Sequence, residues 1–365
     1  MARSWRFGLS VQKHVIVVGA GIIGASIAWH LARDGARVTV LSADSGGGVA
    51  TPTSFAWINA SWGNPKPYFD LRTRSMAEWT RLTAEVPDIP LNWCGSLCFD
   101  LPPEQMEDFA RQHGGWGYGI RRVHSAEAAR IEPALARPPE QALHVAGEGA
   151  AEPVATTLAL LADAGRRGAV LRMATPVRAL TFASGRVVGV ETDEGRLAAD
   201  EVVIAAGTGS PELLAGIGVA LPVETPPGLL VHSKPHAPLL NGLVIGEVAH
   251  VRQTAEGRIV AGSDFGGADP GADAAHTAQV LFAEVKAMLA GADDLALDFH
   301  TVGYRPTPAD GFPVIGRPAG TGGLYVSVMH SGITLAPAVG LFAAAEILSG
   351  ERNDLLSPYG PDRFA

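Results

Sequence analysis

The sequence has few cysteines and no excess of basic residues, and both shortages exclude classes of protein. Its 365 residues contain two cysteines, which are too few for a disulfide framework and, without a nearby pair of histidines, do not make a zinc site. Lys and Arg number 28 against 37 Asp and Glu. Binding of nucleic-acid phosphates requires clustered basic residues, which are missing here. We therefore expect an acidic protein without a nucleic-acid partner.

Long apolar runs are scarce as well. Residues 333–348 are mostly apolar, but they fall short of the roughly 18 uninterrupted residues that cross a membrane. Three residues interrupt the run, namely Pro337, Gly340 and Glu346. We therefore predict a core helix over this stretch and no integral membrane segment.

Two further features bear on the location of the protein. Residues 1–13 lack the apolar core and the cleavage site of a secretory signal, so we interpret them as a short extension. Cys94 and Cys98 lie in an alternating, strand-like stretch, which predicts buried thiols. Both features favour a reducing, cytoplasmic location.

The most informative segment that is present lies near the N-terminus. An apolar run over 14–18 breaks into three spaced glycines and an amphipathic helix, and a second strand-like run follows over 37–41. In a dinucleotide-binding turn, the first glycine permits the turn, the second lets a pyrophosphate approach, and the third lets the helix pack on the strand. The first N–H groups of the helix then face the phosphates. The residues assigned to this turn are Gly19, Gly21, Ile22, Ile23 and Gly24.

One part of the dinucleotide pattern is absent. An acidic residue at the end of the second strand normally binds the ribose hydroxyls, and here Ser42 occupies that place. A serine cannot hold a ribose diol at two points as a carboxylate does. Either Asp44, two residues beyond, reaches back to the ribose, or the cofactor binds less tightly.

The chain is long enough for two domains. With 365 residues, of which 47% are hydrophobic, it can bury a full core. The apolar pattern predicts helices over 69–86 and 158–167 and a buried strand over 201–207 that returns to the nucleotide-binding sheet. Residues 221–299, rich in Pro and Gly, are predicted to be strands of a second domain.

Two later segments indicate a family. Residues 303–316 are GYRPTPADGFPVIG, and residues 324–337 are LYVSVMHSGITLAP. Together with the glycine turn, they resemble the flavoenzyme family of glycine oxidase, D-amino-acid oxidase and sarcosine oxidase over nearly the whole chain. The resemblance implies an α/β fold with a Rossmann-like FAD-binding domain and a second α+β substrate domain on a mainly antiparallel sheet. The first domain would comprise residues 1–86, 143–220 and 300–365, and the second 87–142 and 221–299.

The same resemblance implies how FAD is held. No cysteine lies near residues 302–305, where some relatives attach the flavin, so noncovalent FAD is expected. The lysine that sarcosine oxidases use for oxygen activation is replaced by Val260, which leaves the use of oxygen open. Beyond the glycine turn and Ser42, the residues expected at FAD are Thr53, Ser54, Ala56, Trp57, Ile58, Val177, Ala206, Gly207, Gly303, Arg305, Gly332, Ile333 and Thr334.

Four residues are expected at the substrate. By resemblance to glycine oxidase, Arg305 binds the substrate carboxylate, which suits the planar fork of a guanidinium. His250 takes a position that is commonly a substrate-facing tyrosine, and Phe265 takes an apolar pocket position. His330 precedes the helix that faces the flavin. For His250 a solvated loop histidine, and for His330 a cap on backbone groups, are the alternatives.

The predicted activity is FAD-dependent oxidation of the C–N bond of an amino acid or secondary amine acid, followed by hydrolysis of the imine. Oxygen or another acceptor would reoxidise the flavin. One alternative is oxidation of a 2-hydroxy acid, which needs a general base such as His250 or His330. The others are a nicotinamide-dependent Rossmann protein and a noncatalytic nucleotide-binding protein. The expected partner is a small amine substrate, and a homo-oligomer is compatible with the sequence.

Overall fold

A computed structural model describes residues 12–60, 63–264 and 267–364 of the chain. The expectations for Phe265 and for most of the N-terminal extension lie outside these residues. The helices are α1 (Ile22–Arg33), α2 (Lys66–Glu85), α3 (Pro103–Gly115), α4 (Ser125–Ile131), α5 (Pro153–Arg166), α6 (Ser210–Ala215), α7 (Ala274–Met288) and α8 (Gly332–Ser349). The strands are β1 (His14–Val18), β2 (Arg37–Leu41), β3 (Trp57–Ile58), β4 (Leu91–Asn92), β5 (Ser96–Phe99), β6 (Ile120–His124), β7 (Gln141–Val145), β8 (Gly149–Ala151), β9 (Val170–Arg172), β10 (Val177–Ala183), β11 (Arg186–Thr192), β12 (Gly195–Ala198), β13 (Glu201–Ile204), β14 (Val223–Glu224), β15 (Pro227–Ser233), β16 (Leu243–Gly246), β17 (His250–Gln253), β18 (Ile259–Gly262), β19 (Leu297–Tyr304), β20 (Thr307–Pro308), β21 (Val314–Gly316) and β22 (Leu324–Val328).

The first large sheet is the nucleotide-binding sheet, with strand order β21-β22-β13-β1-β2-β9. Its strands are parallel except for the edge strand β21. The chain leaves β1 for β2 on one side and returns as β13 on the other. This reversal makes the carboxyl end of β1 a switch point, which is where ligands bind in open α/β sheets.

Helices α1, α5 and α8 pack together on this sheet. Helix α1 approaches α8 so closely that the Ser26 hydroxyl donates to the Ala336 carbonyl oxygen at 2.6 Å. The approach requires Gly340, because a Cβ there would lie 2.3 Å from Ser26 Oγ. By length and composition α8 could cross a membrane, but 72% of it is buried inside the protein. Helix α8 is therefore a core helix, as the sequence predicted.

The second large sheet has the order β19-β15-β18-β17-β16-β5-β7-β6 and is antiparallel except for the pair β16 and β5. Helix α7 covers it with the apolar side chains of Ala278, Leu281 and Val285. The expected domain boundaries at 142/143 and 299/300 fall inside β7 and β19 of this sheet.

The predicted elements agree with the structure to within a few residues. The second strand occupies residues 37–41 as predicted, and the predicted helices over 69–86 and 158–167 begin earlier, at Lys66 and Pro153. Both of these helices carry a proline in the first turn, where a missing N–H costs nothing. Cys98 is buried in β5, whereas Cys94, which precedes the strand, is partly exposed.

Candidate active site

A cavity of about 920 Å³ opens over the carboxyl ends of the parallel strands. Its wall includes the last residues of β1, β2 and β22 and the residue after β13, which are Val18, Leu41, Val328 and Ala205. The cavity thus lies at the switch point of the nucleotide-binding sheet, where a dinucleotide is expected.

The three glycines of the first turn have distinct surroundings. Gly19 has a φ of +110°, and a Cβ there would lie 2.3 Å from the Ala205 carbonyl oxygen. A Cβ on Gly24 would lie 1.9 Å from the Gly19 carbonyl oxygen. Gly21 lines the cavity, and its nearest obstacle is Thr51 Oγ1 at 3.3 Å. The outer glycines therefore allow strand and helix to touch, and the middle glycine leaves its side open to a ligand.

Two helix N-termini open onto this one cavity. Residues Gly21 to Ile23 at the start of α1, and Gly332 to Thr334 at the start of α8, line its wall. Neither helix has an N-cap side chain bonded to its backbone or an acidic residue in its first turn. The positive ends of both helix dipoles are thus available to anionic groups of a ligand. FAD fits this arrangement, because its pyrophosphate and the pyrimidine edge of its reduced ring each carry negative charge.

The loop after β2 forms the predicted adenosine end. Ser42 and Asp44 both line the cavity, and Asp44 Oδ1 also accepts a hydrogen bond from the Gly46 N–H at 2.7 Å. Val177, at the start of β10, and its neighbour Arg178 also line the cavity. A carboxylate is therefore present at this end even though Ser42 occupies the usual acidic position.

The segment that was expected along the flavin is fixed by α8. Thr334 Oγ1 donates to the Trp57 carbonyl oxygen at 3.1 Å and accepts from the Asn59 N–H at 3.4 Å. Ala56 has a φ of +62°, and Trp57 Nε1 donates to Glu148 Oε2 at 2.9 Å. The segment is thus held on both sides, by the first turn of α8 and by a buried carboxylate.

Arg305 and His330 are the two residues expected at the substrate that the structure places in the cavity wall. Both line the cavity, and Arg305 Nη2 donates to the Gly267 carbonyl oxygen at 3.3 Å. His330 Nε2 lies 2.9 Å from the Gly311 carbonyl oxygen, so this nitrogen carries the proton and donates. Nδ1 then accepts from the Ser331 hydroxyl at 2.9 Å. Burial, followed by the charge of Arg72, lowers the pKa of His330, which keeps the imidazole neutral with both nitrogens engaged.

His250 lies beside the cavity rather than in its described wall. It is buried on β17, with Nε2 3.4 Å from Asp100 Oδ2. Its ring centroid is 6.4 Å from that of Phe55, which does line the cavity. The alternative of a solvated loop histidine is wrong, because this imidazole is 3% exposed within a sheet.

Most of the predicted site residues come together in the cavity wall. Besides His250, three of the described residues expected at FAD do not line it: Gly24 touches Gly19, Ile58 is in the core, and Gly303 leaves room for Thr53, whose Oγ1 would lie 2.1 Å from a Cβ there. The predicted residues that line the cavity are Gly19, Gly21, Ile22, Ile23, Ser42, Thr53, Ser54, Ala56, Trp57, Val177, Ala206, Gly207, Arg305, His330, Gly332, Ile333 and Thr334.

Sequence reasoning missed three polar residues of the cavity wall, which are Asn59, Asn64 and Arg72. Arg72 is 5% exposed. The helical spacing of Tyr68, Arg72 and Ser75 places the arginine on the buried face of α2. An arginine on an apolar stripe was the signal that could have identified it.

Comparison with known proteins assigns the family. The family model of FAD dependent oxidoreductases matches residues 14–346. Glycine oxidase from Pseudomonas putida is 30% identical, over 96% of this chain and 99% of its own length. The structure of L-proline dehydrogenase from P. horikoshii has a TM-score of 0.86 at 25% identity, covering 97% of this chain and 98% of that one. Glycine oxidase from Geobacillus kaustophilus has a TM-score of 0.86 at 25% identity, covering 96% and 98%.

These matches exclude the nicotinamide-dependent and noncatalytic alternatives, and they agree with FAD, the cofactor that fits the cavity. Among the described residues, neither cysteine lines the cavity. The chain belongs to the family of FAD-dependent oxidoreductases that includes glycine oxidase.

Proposed function

We propose that this protein oxidises the C–N bond of an amino acid or a secondary amine acid. The observation that carries the proposal is that one cavity joins the phosphate-binding turn of α1 to the N-terminus of α8 and to Arg305. The names of two similar proteins support it: glycine, in glycine oxidase, is a primary amine acid, and L-proline, in L-proline dehydrogenase, is a secondary amine acid.

The protein's own residues have three tasks in this reaction. Arg305 binds the substrate carboxylate and so orients the α-carbon. The amides at the start of α8, from Gly332 to Thr334, stabilise negative charge at their end of the cavity. Apolar side chains such as Phe55 and Ile333 limit access of water. When bound, FAD supplies the hydride acceptor.

Oxidation of a C–O bond has less support from the site. That reaction requires a base to take the hydroxyl proton. His330 has both nitrogens in hydrogen bonds, and His250 lies outside the described wall of the cavity. Amine oxidation needs no such group once the amine is neutral, and it is therefore the function that we favour.

The test is an anaerobic absorbance titration of the purified protein with glycine, sarcosine, L-proline, D- and L-amino acids and 2-hydroxy acids, followed by admission of air. We expect an amine acid, but not its hydroxy counterpart, to bleach the flavin band near roughly 450 nm. Recovery in air would identify an oxidase, and recovery only with an added acceptor a dehydrogenase. Bleaching by hydroxy acids alone would overturn the proposal.

Arg305→Met tests the role given to the arginine. Loss of the charged partner should weaken transition-state binding of the best carboxylate substrate by roughly 2 to 5 kcal/mol, and kcat/KM should fall accordingly. An unchanged kcat/KM would show that another group binds the carboxylate.

A further inference from the structure

A second guanidinium, that of the buried Arg72, lies in the wall of the same cavity. Its Nε donates to the Asn59 carbonyl oxygen at 2.9 Å, and its Nη2 donates to Asn59 Oδ1 at 2.7 Å. Its Nη1 donates to Tyr68 Oη at 3.3 Å. All three acceptors are neutral, and a guanidinium has five N–H groups. Among the described residues, two N–H groups of this cation therefore have no acceptor.

No carboxylate of the described residues forms an ion pair with Arg72. The α2 acids that do form pairs bind other cations: Asp70 pairs with Lys66, and Glu78 pairs with Arg74 and Arg81. The buried carboxylate of Glu148 accepts hydrogen bonds from Trp57, Ser96 and Tyr118 and none from Arg72. A buried cation without an anionic partner is costly, and such a site favours an anion from outside the chain.

Arg72 and Arg305 lie near one common neighbour. The positive charges of both act on His330, and each lowers its pKa further after the effect of burial. The amide side chains of Asn59 and Asn64 line the cavity with them. Two guanidinium groups and two amides therefore line the same cavity as His330.

The positive charges of Arg72 and Arg305 exceed the negative charge of a substrate with one carboxylate. A substrate with one carboxylate neutralises one guanidinium, and Arg305 is assigned to it. The helix dipole of α8, which begins at Gly332, already faces the position of charge on a reduced flavin. Arg72 therefore adds one full positive charge that neither the monocarboxylate nor the flavin requires.

We propose that the substrate carries a second carboxylate, which Arg72 binds while Arg305 binds the first. This inference rests on the proposed function, and it narrows the substrate class to amino acids or secondary amine acids with two carboxylates. Asn59 acts as a positioning residue, because its two oxygens hold the guanidinium at the cavity wall.

The test compares matched substrates that differ by one carboxylate: sarcosine against iminodiacetate, and alanine against aspartate. The holoenzyme should favour the dicarboxylate of a pair by about a hundredfold in kcat/KM, the range expected for a buried charge pair. Succinate should bind and perturb the flavin spectrum at concentrations where propionate does not.

Arg72→Met should lower kcat/KM for the dicarboxylate about a hundredfold more than for the monocarboxylate, and Arg72→Lys should retain part of the preference. The matched control is Arg74→Met, because Arg74 lies two positions further along α2 with a side chain that is 48% exposed. This control should retain the full preference. Circular dichroism and FAD content verify that each variant is folded.

Three outcomes overturn the inference while leaving amine oxidation intact. The first is an equal rate for both members of each pair in the wild type. The second is an equal loss for both members in Arg72→Met. The third is a changed flavin reduction potential in Arg72→Met with the preference unchanged, which would assign the charge to the cofactor. Failure of every amine to bleach the flavin would instead refute the proposed function itself.

Discussion

The hydroxyl of Ser42 donates a hydrogen bond of 3.0 Å to Oδ1 of Asp44, and both residues line the cavity. The serine at the end of β2 thus positions a carboxylate that enters the site from two residues further along. Of the two alternatives left by the sequence, the geometry favours the one in which Asp44 takes the place of the usual acidic residue at the ribose.

Asp44→Ala should weaken FAD binding more than Ser42→Ala does. A hydrogen bond to a charged group contributes about 1.5 to 3 kcal/mol, which corresponds to roughly a 10- to 100-fold increase in the Kd of FAD. The measurement is a titration of the apoprotein with FAD, in which the quenching of flavin fluorescence reports binding. Asp34→Ala is the control, since Asp34 pairs with Arg33 at the end of α1, outside the cavity wall. Equal Kd values for all three variants would exclude ribose binding by Asp44.

Gly24→Ala should destabilise the protein and reduce its FAD content. The new methyl group would lie 1.9 Å from the Gly19 carbonyl oxygen, so α1 would have to move away from β1. Overpacking of this kind costs about 1 to 3 kcal/mol, or more where backbone must move. Urea unfolding measures the loss. Gly165→Ala in α5 is the control, because its Cβ would meet Leu171 Cδ1 at 3.8 Å. Equal stability of the two variants would contradict the packing role of Gly24.

Glu148→Gln should destabilise the fold through unmatched donors. The carboxylate accepts from Trp57 Nε1 at 2.9 Å and from Ser96 Oγ at 2.6 Å on one oxygen, and from Tyr118 Oη at 2.5 Å on the other. An amide removes the negative charge and replaces one of these oxygens by a donor, so the three bonds are no longer charge-assisted and one of them must reverse or be lost, at a cost of about 1 to 3 kcal/mol. Thermal and urea unfolding measure the change. The exposed Glu140 offers the control substitution Glu140→Gln, which should have no effect.

Stability should fall in mild acid because of His30. Burial lowers the pKa of this imidazole from 6.5 to about 3. Between these values the unfolded chain binds a proton that the folded protein does not, so the free energy of unfolding decreases as the pH falls below 6.5. At pH 5 the loss from this group amounts to about 2 kcal/mol.

His30→Gln tests this linkage through the slope rather than the absolute stability. The variant should lose less of its free energy of unfolding between pH 7 and pH 5 than the wild type does, because one titrating group is gone. Since His124 is exposed, His124→Gln should keep the wild-type slope. Parallel curves for His30→Gln and the wild type would show that another group causes the acid sensitivity.

Local sequence patterns predicted the parts of the fold that depend on neighbouring residues. The glycines of the first turn, the strand over 37–41 and the core helix α8 all follow from short-range spacing. The start of a helix was predicted less well, because the first turns of α2 and α5, at Lys66 and Pro153, precede the apolar pattern from which these helices were predicted.

The residues that sequence reasoning missed depend on tertiary contacts instead. Arg72 faces the cavity because α2 lies against α8. Its helical spacing indicates that it lies on the buried face of α2, unlike the exposed Arg74, but not that this face lines the cavity. His250 was expected at the substrate, but its side chain packs behind Phe55 near Asp100. The direction of a side chain on a strand follows from register, which a single sequence does not specify.

The two helix N-termini that meet at the cavity come from opposite ends of the chain. Gly21 belongs to the first helix and Gly332 to the last of the eight helices described. A nascent chain therefore has no complete flavin site until α8 has been synthesised, more than 300 residues after α1. FAD retention thus reports that α1 and α8 have packed on each other.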